Sequence, residues 1–78
     1  MNGEQRRISP WHLTIRQAKI MDTMVTTGSI AETAACLAIE VPTVRDHLKQ
    51  IHIRMGSRYT TRTVVMWDRW RRGANVLP

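Results

Sequence analysis

The chain contains a single cysteine in 78 residues, so Cys36 closes no internal disulfide. It sits in the small apolar run Ala34-Ala35-Cys36-Leu37-Ala38, which predicts the buried side of a helix. A lone thiol suits a reducing cytoplasm. Long hydrophobic runs are missing as well. No apolar stretch approaches the roughly 20 residues that cross a bilayer, and no hydrophobic segment of signal-peptide type follows the basic residues near the N-terminus. No segment joins a basic polar face to a continuous apolar one. The expected setting is therefore cytoplasmic, without membrane association. Gly28 and Gly56 are isolated and read as helix stops, not as a phosphate-cradling loop. His12, His47, His52 and Cys36 match no zinc spacing. Cys36 also has no orienting residue that would make it a nucleophile. No metal, no cofactor and no enzymatic activity are expected.

Acidic residues are scarce in one half only. Residues 1–40 carry four basic residues (Arg6, Arg7, Arg16, Lys19) and four acids (Glu4, Asp22, Glu32, Glu40), which cancel. Residues 41–78 carry eight basic residues against Asp46 and Asp68, and so hold the entire formal charge of +6. A basic half on a neutral half points to a polyanion-binding face on a neutral scaffold, with nucleic acid as the expected polyanion. A solvated basic surface is the plainer alternative.

What is present is a succession of helix signals in a chain long enough for one core. Residues 1–12 are polar and aperiodic and read as a flexible N-terminal arm. Arg6 and Arg7 there are either DNA-reaching or simply solvated, and Trp11 marks where the arm docks. Thr14 and Gln17 form a capping box, with Leu13 and Ala18 as a hydrophobic staple. The first helix then runs to about Thr26 on the stripe Ile20, Met21, Met24 and Val25, and Gly28 stops it. Ser29 and Glu32 repeat the box for a second helix from Ile30 to about Ala38. A third helix is predicted over Pro42–Met55, with Val44, Leu48, Ile51 and Met55 inward. Proline suits its first turn, whereas Val41 is biased away from helical dihedrals by the proline after it. A fourth helix runs from Thr61 or Arg62 to about Arg72, with Val64, Val65, Trp67 and Trp70 as its apolar content. The domain is expected over 13–73, with a frayed tail at 74–78.

Two helices joined by the short segment Ala38 to Val41, the second amphipathic and basic outward, meet the requirements of a helix-turn-helix. The second helix of such a pair enters the major groove. Arg45 is the first candidate for a bidentate guanine contact, and Lys49, one turn on, reads the next base or holds a phosphate. Asp46 accepts from a cytosine amino group, or orients Arg45 or Gln50, or is incidental surface. Thr43 is a candidate phosphate ligand at the helix start. Gln50, Arg54, Arg58 and Arg62 complete the backbone contacts.

Leu13-Thr14, Arg16-Gln17, Ala34, Leu37, Ile39, Thr43-Val44-Arg45, His47-Leu48, Ile51, Met55-Gly56 and Val64 together resemble the LuxR/GerE type of helix-turn-helix, over about Leu13 to Gly73. That resemblance implies an all-α, four-helix domain of a transcription regulator. It implies double-stranded DNA as partner, bound by a homodimer through the third helix, with Arg45, Asp46 and Lys49 at or near bases and Thr43 at phosphate. It also implies pairing through the fourth helix, with Val65, Trp67 or Trp70 at the seam; one tryptophan is expected inward and one at a partner surface. No receiver or ligand-binding domain accompanies these residues, so a standalone member is expected.

The sequence departs from that family at four places. Glu40 stands where Ser or Thr is usual, Thr33 where a larger branched residue is usual, and His52-Ile53 where an aromatic and a base are usual. Thr60 replaces an arginine. Two other functions fit some of the same residues. An accessory or anti-activator protein would bind another transcription regulator through 61–72, using Trp67, Trp70 and Ile53. A sigma-factor-like promoter-reading domain, working with RNA polymerase, would also suit Pro42-Thr43-Val44-Arg45. His47 and Gly56 favour the first family.

Overall fold

The computed structural model describes residues 7–8 and 10–75. Two short strands, β1 (Arg7–Ile8) and β2 (Leu13–Thr14), precede four helices: α1 (Ile15–Thr27), α2 (Ile30–Leu37), α3 (Val41–Met55) and α4 (Thr60–Asn75). The architecture is an all-α four-helix bundle in which α1 packs on each of the other three. No helix among the described residues is long and apolar enough to cross a membrane.

α1 starts where its capping chemistry places it. Gln17 donates its backbone N–H to Thr14 Oγ1 at 3.0 Å, and the Thr14 N–H donates to Gln17 Oε1 at 2.9 Å. Two otherwise unpaired donors are thereby satisfied. Ala18, Ile20, Met21 and Met24 are buried, and Gly28 ends the helix in the left-handed region at φ 74°. Ser29 caps α2 by accepting from Glu32 N at 3.0 Å.

Within the arm expected to be flexible over 1–12, the described residues are in part paired. β1 pairs antiparallel with β2, Arg7 opposite Thr14 and Ile8 opposite Leu13. Trp11, in the turn between them, packs against the core, and Leu13 is fully buried. Apolar anchoring by these two residues outweighs the polar composition around them. Residues 1–6, including Arg6, lie outside the described residues.

Cys36 is also placed differently from expectation, since it is exposed. Thr33 and Ala34 are the buried residues of α2, with Ile30 and Leu37 packed beside them. These four recur at helical spacing, and Cys36 lies two residues from Ala34, on the opposite side. The Thr33 hydroxyl is well accommodated: its Oγ1 lies 2.9 Å from Thr27 Oγ1 and donates to Met24 Sδ at 3.2 Å.

α3 buries Val44, Leu48, Ile51 and Met55, the expected stripe. It begins at Val41, one residue before the predicted start. Val41 is N1 and Pro42 follows at N2, where a missing N–H costs nothing. α4 continues to Asn75, beyond the stop expected near Arg72. Arg72 pairs with Asp68 at 2.9 Å across one turn, and Gly73 inside a helix costs only about 1 kcal/mol. Residues 76–78 of the expected tail lie outside the described residues.

Trp67 requires a correction as a seam residue: it is only 2% exposed and is the largest side chain in the core. Its ring centroid lies 6.4 Å from that of Trp11 and 5.2 Å from that of Trp70. Trp70 is half-buried and meets Trp11 edge-on at 6.2 Å.

Candidate nucleic-acid interface

The link between α2 and α3 is the three residues 38–40. Ala38 closes α2 in the left-handed conformation at φ 57°, and its N–H donates to the Ala35 carbonyl at 3.2 Å. The Ile39 N–H reaches back to the Ala34 carbonyl at 3.0 Å. These paired bonds form a Schellman end, which turns the chain sharply and satisfies the carbonyls of Ala34 and Ala35. With the core stripe of α3 fixed against the bundle and Val41 packed beside it, Pro42, Thr43, Arg45, Asp46, Lys49, Gln50, Ile53 and Arg54 are exposed, and His47 and His52 are half-buried.

Three lines of side chains cover the outward surface of α3. Pro42, Asp46, Lys49 and Ile53 recur at intervals of four, three and four, directly opposite the core, and all are exposed. Arg45, Lys49 and His52 run along one flank, while Thr43, His47, Gln50 and Arg54 run along the other. The first flank is continuous with the start of α4. Arg45, Lys49, His52 and Thr60 share a shallow cleft of about 260 Å³, and His52 Nε2 lies 3.5 Å from Thr60 Oγ1. Next to it, Lys49, His52, Ile53, Ser57 and Arg58 line a second open cleft of about 390 Å³. Arg45, Lys49 and Arg58 are thus brought to one side, and Thr43, Gln50 and Arg54 to the other. Arg62 lies on α4, in an outward line with Val65, Arg69 and Arg72.

Charge is distributed unevenly over this surface. The ion pairs among the described residues join Asp22 to Arg71 at 2.9 Å, Asp68 to Arg71 at 3.3 Å and Asp68 to Arg72 at 2.9 Å. None among the described residues engages Arg45, Lys49, Arg54, Arg58, Arg62 or Arg69, whose charges remain open to an external anion. Asp46 likewise makes no hydrogen bond or ion pair with Arg45 or Gln50 among the described residues. The orienting role considered for it is therefore not present in this conformation.

Thr43 is exposed, but its backbone N–H already donates to the Glu40 carbonyl at 3.0 Å, as does that of Val44 at 3.2 Å. Glu40 makes no side-chain cap. A phosphate at this end would meet the Thr43 hydroxyl rather than a set of free amides, with the Glu40 carboxylate nearby opposing it. Residue type alone does not mark His52 as a site residue. Its position three after Lys49 and seven after Arg45 is the periodic signal that places it on their flank. No group of three His, Cys, Asp or Glu side chains able to hold a metal ion occurs among the described residues.

Comparison of the chain with protein-family models, with curated proteins and with solved structures finds no match.

Proposed function

We propose that this chain is the sequence-specific DNA-binding domain of a small transcription regulator, a helix-turn-helix of the LuxR/GerE type, with α3 seated in the major groove. The observation that carries this reading is the outward face of α3. It follows a three-residue turn from α2 and presents Arg45, Asp46 and Lys49 with no intramolecular partners among the described residues. Unpaired cations on a helix otherwise anchored by its apolar stripe suit an anionic groove wide enough for a helix. In this reading Arg45 bonds a guanine edge, and Lys49 reads the adjacent base or a phosphate. Asp46 accepts from a cytosine amino group. Thr43, Gln50, Arg54, Arg58 and Arg62 hold the two phosphate backbones.

Two copies would bind an inverted repeat, pairing on the DNA rather than in free solution. The outward line of α4 supports the distinction. Val65 is 44% exposed but is flanked by Arg62 and Arg69, so a two-fold seam through it sets like charges close together unless phosphate compensates them.

Selection of duplexes from a random pool at about 0.15 M salt, where phosphate attraction is already screened, tests the proposal. Enrichment of an inverted repeat is the expected result. Retention of DNA without an enriched motif would reduce the function to nonspecific binding. No retention by a folded protein would turn the search to a protein partner.

A further inference from the structure

Ile53 stands out on the outward surface of α3. It is 68% exposed, the most exposed of the large hydrophobic residues among those described, yet it lies on the line of Asp46 and Lys49, opposite the core. Its immediate surroundings are polar and cationic: Lys49, His52, Ser57 and Arg58 share its cleft. An apolar partner protein would leave those cations facing an apolar surface, which is unfavourable. The setting suits a ligand that is anionic overall and offers one small apolar group.

Duplex DNA offers one in the major groove. The 5-methyl of thymine projects from otherwise polar base edges, flanked by phosphates, and it is the apolar feature that side chains recognise there. Resting on the DNA-binding role proposed above, we propose that Ile53 is a specificity-determining residue that packs on a thymine methyl, while Lys49 and Arg58 hold the adjacent backbone. Ile53 lies seven positions beyond Asp46, a rise of about 10 Å along the helix, which amounts to at most roughly three base-pair steps. With α3 lying along the groove, the thymine is expected within about three base pairs of the pair that Asp46 faces.

The test replaces each dT of the selected duplex in turn by dU, which removes the methyl and leaves base pairing intact. Kd is measured for the wild-type protein and for Ile53→Ala. The exposed position makes that variant fold like the parent, which circular dichroism checks. One position is expected at which dU weakens wild-type binding about fourfold, the value of one buried methyl, and leaves Ile53→Ala unaffected. Specific binding with no methyl dependence, or an equal dU penalty in Ile53→Ala, overturns the role of Ile53 while leaving the DNA-binding role intact. Absence of sequence-specific binding by the wild type overturns both.

Discussion

The Trp67 indole N–H donates to Asp22 Oδ1 at 2.8 Å, joining residues 45 positions apart. The same oxygen accepts from Arg71 Nη1 at 2.9 Å, and Arg71 reaches Asp68 at 3.3 Å. One carboxylate on α1 thus satisfies the polar atom of the largest core side chain and holds α4 against α1. The position of α4 in turn sets where Thr60 and Arg58 stand beside α3.

Replacing Asp22 by alanine leaves the N–H of an almost fully buried tryptophan without a partner. Stability should fall by about 1–3 kcal/mol, read from urea denaturation followed by circular dichroism. Asp22→Asn retains a neutral acceptor and should lose less. Equal losses in the two variants would assign the effect to the Arg71 charge instead of the Trp67 N–H.

Ala38 adopts φ 57° and ψ 43° at the turn between α2 and α3, a conformation costing a residue with a Cβ about 1–2 kcal/mol. Glycine removes that cost but gives back about 0.4–1 kcal/mol through the entropy of the unfolded chain. Ala38→Gly should therefore stabilise the domain by about 0.8 kcal/mol, with a higher urea midpoint and an unchanged slope. A lower midpoint would show that the Ala38 methyl contributes packing that its exposed position does not suggest.

Trp70 is the outer member of the Trp11, Trp67 and Trp70 cluster. Trp70→Ala should cost about 2–3 kcal/mol, below the range for a fully buried tryptophan, and lower the melting temperature. Sedimentation in the absence of DNA should show a monomer before and after the change. Weakened self-association at unchanged stability would instead place Trp70 in a subunit seam.

Much of this arrangement was legible in the sequence because it is local. The Thr14 and Gln17 capping box, the glycine stops, and the stripe Val44, Leu48, Ile51 and Met55 are set by residues three or four apart, where periodicity speaks directly. The outward placement of Arg45, Asp46, Lys49 and Ile53 follows from the same period. The bond from Trp67 to Asp22 was not legible, since no local pattern links residues so far apart. Nor was the side on which Cys36 falls: in an eight-residue helix whose apolar residues lie all around, composition does not choose a face. The pairing of β1 with β2 escaped because Trp11 and Leu13 act through tertiary packing that overrides the polar character of their neighbours.

The most direct measurement for the role of α3 is the affinity of Arg45→Ala for the selected duplex and for random duplex, each compared with wild type at the same salt. Arg45 is exposed and unpaired among the described residues, so the fold should be unchanged. A base-reading arginine should lose about 1–3 kcal/mol on the selected site and much less on random DNA. An equal loss on both would contradict base reading and leave Arg45 as a phosphate contact.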